Sequence, residues 1–268
     1  MSVCAWTGKR VRAVAISAAA LSAFVLANGG VRAAADQPRA GVVSILVYHR
    51  FEAEAHDSMA VTTPQFARQL QYLADHHHRV LPFRTVVTAL QRGEALSSGV
   101  VITVDDGHRS VYTDMLPLVR KYNIPVTLFI YPSAISNASY AMTWQQLAAL
   151  KETGLFDIQS HTYWHPNFKV ERRRLDAPAF DAFATSQLVK PRNVLRAKLG
   201  VEADMLAWPF GIYDDDLIRR AGAAGYVAAV TLDARPVNPA DRRLALPRFL
   251  VTAAMSDKRF QAIAPPNP

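Results

Sequence analysis

Between Val42 and Val251 the chain alternates short apolar runs with amphipathic segments, and few architectures satisfy that alternation. The apolar runs are VVSILVYH, RVLPF, GVVITVDD, PVTLFIYP, FDIQSH, MLAWPF, YVAAVT and LPRFLV. Each is short, rich in β-branched and aromatic residues and bounded by turn formers, which predicts a buried strand. Between them lie helical patterns. Thr63-Pro64, a hydroxyl cap with proline at the first helical position, opens a helix with Phe66, Leu70 and Leu73 on one face. RTVVTALQRG closes at Gly93, SVYTDMLPLVRKY runs through Pro117, TWQQLAALKETG closes at Gly154, and DDDLIRRAGAAG follows Tyr213. The stretch from Ala179 to Gly200 is helical in pattern, with a break expected at Pro191. Strands alternating with helices predict a mainly parallel α/β sheet. Seven or eight strands in a chain of 268 residues favour a closed barrel over an open sheet. In either form the functional site belongs at the C-terminal ends of the strands.

The first residues carry a different signal. Lys9, Arg10 and Arg12 precede the apolar stretch AVAISAAALSAFVLA, then Asn28-Gly29-Gly30 and the small residues Ala33-Ala34-Ala35. This order predicts a secretory signal peptide over residues 1–35. Its apolar core is short against the roughly 20 residues of a spanning helix, so no membrane span is expected after cleavage and the protein is expected in the periplasm or outside the cell. Residues 36–264 then form one domain, and 265–268 (Pro-Pro-Asn-Pro) a disordered tail. Cys4, the only cysteine, lies inside the signal, which leaves no thiolate ligand, cysteine nucleophile or disulfide beyond it. The formal charge is +8; without Lys9, Arg10, Arg12 and Arg32, 26 basic residues face 22 acidic ones, a net +4. With no long basic run, that balance does not point to nucleic acid.

Four strand ends carry reactive side chains. His49 ends the first strand, Asp105 and Asp106 end GVVITVDD, His161 ends FDIQSH, and Pro209-Phe210-Gly211 ends MLAWPF. Within a strand, adjacent aspartates would face opposite sides; at its end, beside Gly107, both can lean into one pocket. His161 and His165 are four apart, close enough for one turn of chain to bring them to one side. Two imidazoles and a carboxylate make a three-ligand set for a divalent ion with positions open to water and substrate. One aspartate then binds the ion while the other remains beside it as a base. His76-His77-His78 falls at a helix C-terminus, where imidazoles interact with the terminal carbonyls, and Asp214-Asp215-Asp216 caps the helix that follows.

VDDG, then SHTYWHP, then WPFG followed by a helix resembles the polysaccharide deacetylase family (carbohydrate esterase family 4) over roughly residues 42–252. The resemblance implies a distorted (β/α) barrel of about seven strands in a single domain. It implies Asp105 as catalytic base, Asp106, His161 and His165 as metal ligands, and the Phe210 backbone N–H as an oxyanion donor. The implied reaction is metal-assisted hydrolysis of the N-acetyl group of a hexosamine polymer, with zinc first among zinc, cobalt, nickel and iron. Two departures stand out. Ala207 occupies a position where the family commonly has arginine, and no histidine follows His165 to serve as the late acid. His49, in LVYHRF, can supply that imidazole, because the first and last strands of a barrel are neighbours. Arg248 on the last strand can replace the arginine beside Asp105. Each has a purely structural alternative. This arrangement resembles the subgroup acting on poly-β-1,6-N-acetylglucosamine of biofilm matrices, which is preferred here over peptidoglycan and chitin oligomers. Two other readings stay open: a catalytically silent glycan-binding barrel, and an O-acetyl esterase of xylan type. His108, Tyr163, Trp164 and Trp208 are candidates for sugar contacts, and Asp233 for orienting a catalytic side chain or ending a strand in an Asx turn.

Overall fold

A computed structural model of the chain describes residues 1–3, 5 and 41–265. Apart from residues 1–3 and 5, the expected signal peptide lies outside the described residues, as do residues 266–268; Pro265 is buried. The elements run β1 (Val43–Tyr48), β2 (Arg50–Glu52), β3 (Ala60–Thr62), α1 (Thr63–Asp75), α2 (Phe83–Arg92) and β4 (Gly99–Asp106). A π-helical turn, Val111–Met115, leads into α3 (Leu116–Tyr122), then β5 (Val126–Ile130), α4 (Trp144–Glu152), β6 (Phe156–Ser160), α5 (Phe168–Arg174) and α6 (Ala177–Leu199). The chain closes with β7 (Met205–Ala207), α7 (Asp215–Ala223), β8 (Ala228–Val230), β9 (Phe249–Leu250) and α8 (Asp257–Ile263).

Seven strands form one parallel sheet in the order β8-β7-β6-β5-β4-β1-β9, and β2 and β3 pair separately. First and last strands are neighbours, Leu46 facing Phe249 and Val47 facing Leu250. The sheet curls until its edges meet at one point. Val230 bridges Leu246, Thr231 N–H donates to the Leu246 carbonyl (2.8 Å), and Leu246 N–H donates to that of Ala229 (2.8 Å). A single bridge in place of a full ladder is the distortion of this (β/α) barrel.

The period-2 alternation of the strands divides the core. On β4, Val100, Ile102 and Val104 face a large cluster shared with α1, α3 and α4, while Val101 joins the barrel interior with Val43, Ile45, Phe129, Met205, Ala228 and Val230. All of these are buried. Burial of so many branched side chains, at about 25 cal/mol per Å² of apolar surface, holds the strand ends rigidly enough to carry a site.

Local chemistry modifies four sequence expectations. Thr62, not Thr63, caps α1, accepting from Gln65 N–H, and Pro64 sits in the first turn. RVLPF is not a strand: Val80 alone bridges Val100, and Pro82 caps α2, its fixed φ of −59° suiting that place. Pro117 lies in the first turn of α3, after the π turn, where its missing N–H costs nothing. Pro191 does not break α6. It is buried within the helix, and α6 contributes Phe180, Ala184 and Leu188 to one apolar cluster and Leu195 and Leu199 to another, so packing at both ends outweighs one lost hydrogen bond. Among the described residues no helix is long and apolar enough to cross a membrane.

Candidate active site

Strand parity places most of the predicted site. The interior residues of β4 are Val101, Thr103 and Asp105, so Asp105 stands at the top of an inward-facing column. His49 continues the inward positions of β1, and His161 those of β6 above Gln159. Asp106 has the wrong parity and would point into the outer core. Its backbone solves this by taking φ +75°, followed by Gly107 at +85°. Both residues turn left-handed, and a Cβ on Gly107 would meet Ile135 Cδ1 at 3.0 Å and Ile130 Cγ2 at 3.1 Å. Thr162, His165 and Phe210 also have positive φ (65°, 61° and 57°). Four non-glycine residues in this costly region, around one cleft, mark strain held by the surrounding structure.

The two aspartates differ in company. Asp105 is 2% exposed and meets Arg248, 0% exposed, through two hydrogen bonds: Nη1 donates to Oδ1 (2.8 Å) and Nη2 to Oδ2 (2.7 Å). Arg248 also donates to Thr103 Oγ1 (3.1 Å) and, through Nε, to the Thr231 carbonyl (2.9 Å) at the barrel's closure. Burial alone would raise the Asp105 pKa, but the charge and hydrogen bonds of Arg248 hold it down at about 2. Asp106 has no such partner. Burial, reinforced by the Asp105 charge, pushes it up to about 7, and its Oδ1 is buried without a hydrogen bond. A buried orphan carboxylate oxygen is costly unless something fills its place.

His161 and His165 face that orphan. Asp106 Oδ1 lies 3.5 Å from His161 Nε2 and 3.8 Å from His165 Nε2. The three ligand atoms all lie within 4.8 Å of one another, and among the described residues this is the group of His, Cys, Asp or Glu able to hold a metal ion. Ligands about 2.1 Å from a tetrahedral ion stand about 3.4 Å apart, so the donor set fits a divalent metal with little adjustment. His161 is prepared for the role: its Nδ1 lies 2.7 Å from the Ala207 carbonyl, to which it donates, leaving the Nε2 lone pair turned to Asp106. Burial lowers the His161 pKa to about 3, so the imidazole is neutral as a ligand must be.

His49 is 6% exposed, its Nδ1 is buried without a partner, and burial lowers its pKa to about 4 against the opposing pull of Asp105. It shares with Asp105, Asp106, His161, His165, Phe210 and Arg248 a cleft of about 500 Å³. Phe210 is 55% exposed, and its ring stands edge-on to His165 with centroids 4.5 Å apart. All seven predicted site residues therefore line one opening at the strand ends. Of the secondary candidates, Trp208 also lines this cleft, although it is almost fully buried and donates through Nε1 to the Leu244 carbonyl. The others lie outside the cleft lining: His108 Nδ1 pairs with Ser110 Oγ, and Asp233 accepts from Thr231 and Tyr213. Tyr163 lies under Lys190, and Trp164 is exposed, edge-on to Phe183. His76 Nδ1 meets the Tyr72 carbonyl of its own helix, and Asp214 caps α7, both as expected. Tyr131, whose ring centroid is 5.5 Å from that of His165, is a cleft residue that the sequence motifs passed over; inward parity on β5 is the signal that finds it.

The sequence profile described as polysaccharide deacetylase matches residues 92–229, about half of the chain. The poly-beta-1,6-N-acetyl-D-glucosamine N-deacetylase of Staphylococcus epidermidis is 26% identical over 197 residues, covering 72% of this chain and 68% of the relative. Its Staphylococcus aureus (strain MRSA252) counterpart is 22% identical over 227 residues, covering 83% and 77%. Among solved structures, a deacetylase of Streptococcus pyogenes in complex with acetate matches with TM-score 0.74 at 23% identity, over 83% of this chain and 98% of that one. IcaB of Ammonifex degensii matches with TM-score 0.72 at 23% identity, over 84% and 96%. At those identities the structures speak for the fold and the profile for the family. A distorted parallel barrel whose motifs meet in one cleft, and a profile spanning half the sequence, make this chain a member of the polysaccharide deacetylase family, hydrolases that remove N-acetyl groups from polysaccharides.

Proposed function

We propose that this protein is a metal-dependent N-deacetylase of poly-β-1,6-linked N-acetylglucosamine in a biofilm matrix. Asp106, His161 and His165 hold the ion, and Asp105, His49, Phe210 and Arg248 serve the reaction. The observation that carries the reading is the convergence of an unpaired Asp106 with two imidazoles beside a separately paired Asp105. Both staphylococcal relatives are named for this polymer, which favours it over peptidoglycan and chitin oligomers.

A divalent ion, zinc first, would supply Lewis-acid chemistry, polarising the acetamide carbonyl and lowering the pKa of water. Asp105, ionised throughout the neutral range, takes the proton as a water oxygen bonds to the carbonyl carbon. A carboxylate of such low pKa is a weak base, so its value lies in position: Arg248 holds both its oxygens and fixes where it points. The Phe210 N–H donates to the oxyanion that forms. The carbon–nitrogen bond then breaks, and His49 delivers a proton to the leaving amine, giving acetate and a free hexosamine. Burial keeps the resting His49 neutral, so the proton it delivers is the one Asp105 took from the water, passed on within the cleft they share, which returns Asp105 to its charged form. Residues 1–35 act as an export signal, leaving a catalytic domain of residues 36–264 and a short tail in the periplasm or outside the cell; the N-terminal sequence of exported protein checks this.

The test is acetate release from β-1,6 and β-1,4 N-acetylglucosamine oligomers and peptidoglycan, before and after chelation and zinc or cobalt addition. Activity is expected on the β-1,6 series, abolished by chelator and restored by metal. Asp105→Asn and His49→Gln should each lower kcat by roughly 10²–10⁴-fold while keeping metal. Undiminished turnover after complete metal removal, or in Asp105→Asn, overturns the mechanism, and preference for another polymer overturns the substrate.

A further inference from the structure

The segment from His161 to His165 contains two strained residues, yet every one of its amide N–H groups has an acceptor. His161 N–H donates to the Ile130 carbonyl (2.8 Å) and Thr162 N–H to Ser160 Oγ (3.2 Å). Tyr163 and Trp164 N–H both donate to one atom, Gln187 Oε1, at 3.2 and 3.1 Å, and His165 N–H donates to Thr162 Oγ1 (3.2 Å). Five consecutive amides are satisfied, four of them by side chains rather than by a strand or helix ladder. Such satisfaction is needed where Thr162 and His165 hold positive φ, a conformation that costs roughly 1–2 kcal/mol per L-residue and persists only if the surroundings enforce it.

Of the side-chain acceptors, Gln187 alone comes from a distant element. It is 3% exposed, on α6, and belongs to no motif in the sequence. The helix around it is locked in turn. The Tyr226 hydroxyl lies 2.9 Å from the Leu188 carbonyl and 2.8 Å from Ser160 Oγ; its single proton goes to the carbonyl, and it accepts that of Ser160. Ser160 in turn accepts the Thr162 amide, so α6 grips the loop by two routes.

The two ligands depend on this grip unequally. The His161 ring is fixed directly by the Ala207 carbonyl. The His165 imidazole bonds to its own main chain and is flanked by the aromatic edges of Phe210 and His161, so it goes where the loop backbone goes. We infer that Gln187 is a positioning residue for the metal centre: by accepting the Tyr163 and Trp164 amides together, it sets where His165 stands. This rests on the proposed role of Asp106, His161 and His165 as ligands.

The test measures zinc affinity of the full chain by competition with a chromophoric chelator, and the absorption spectrum of the cobalt-loaded protein. Gln187→Met removes the acceptor with little change of volume. Gln187→Asn keeps an amide but draws its oxygen back by one methylene, and Gln187→Glu retains an acceptor in place. Outer-sphere partners of metal ligands typically cost roughly 10–100-fold in affinity when removed. The Met and Asn variants should weaken zinc binding by that factor and alter the cobalt spectrum, with Glu staying within about threefold of wild type. Wild-type affinity and spectrum in folded Met or Asn protein overturns the inference. So does an equal fall of all three variants, in affinity or in folding, because that assigns Gln187 to packing. His165→Ala serves as the separate control: unchanged zinc binding there refutes the ligand triad itself, whatever Gln187 does.

Discussion

Arg248→Met tests the central electrostatic arrangement. The substitution keeps an apolar stem in the barrel and leaves Asp105, 2% exposed, without its two hydrogen bonds. Breaking a buried pair by removing one member costs about 3–5 kcal/mol, and the orphaned Thr231 carbonyl adds to it. The pH dependence carries a sign. In wild type the folded pKa of Asp105 is depressed to about 2 from its ordinary value of 3.8. That contributes about 2 kcal/mol of stability, present above the unfolded pKa and lost as pH falls toward 2. Without Arg248, burial and the neighbouring Asp106 raise the folded pKa above the unfolded one, so the variant gains relative stability as pH falls through that raised value. The gap between wild type and variant is therefore widest near pH 7 and narrows toward pH 4. Urea unfolding of metal-free protein at several pH values measures it, because other titrating groups cancel in the difference. The double variant Arg248→Met/Asp105→Asn should recover most of the loss, since neither partner is then left as an uncompensated charge. A loss under about 1 kcal/mol, set against the several expected for a buried pair, or a double variant no better than the single, refutes the reasoning.

Two further outcomes follow from the same cleft. Burial depresses the folded pKa of His49 to about 4 from 6.5, so the unfolded chain takes up that proton first and stability falls as pH drops through the unfolded pKa. Between pH 7 and 5 this removes about 2 kcal/mol, and His49→Gln should lose that much less over the interval when metal-free protein is unfolded in urea; equal slopes would show that His49 is not held neutral. Gly107→Ala places a Cβ 3.0 Å from Ile135 Cδ1 at a φ of +85°. It should destabilise by about 1–2 kcal/mol and weaken zinc binding by shifting Asp106, whereas unchanged melting and unchanged affinity would show that the turn carries no constraint.

The elements were legible wherever a period was long or a cap was written in side chains. GVVITVDD became β4 at its predicted bounds, and Gly93 and Gly154 followed the helices they were expected to end. Short segments misled for local reasons. RVLPF has the composition of a strand, but Pro82 has no N–H to give a neighbour, and the chain uses it to start α2. Pro191 carries a helix-breaking signal that packing on two apolar clusters overrides. Within the site, a histidine spacing and an aspartate pair could be recognised along the chain. The bonds from Ala207, Thr103 and Gln187 could not, because they involve a carbonyl or an ordinary polar side chain that acquires meaning from its neighbour in space.

The amino-acid order by itself determined that strands and helices alternate, that reactive groups sit at strand ends, and that Asp105 and Asp106 adjoin. Which aspartate is paired and which is left open was decided by tertiary structure alone. Period-2 geometry turns Asp105 inward onto Arg248, 143 residues away, while a left-handed backbone swings Asp106 toward His161 and His165. Sequence adjacency gives two carboxylates the same local chemistry; only barrel closure, by bringing a buried guanidinium to one of them, makes their charges and uses different.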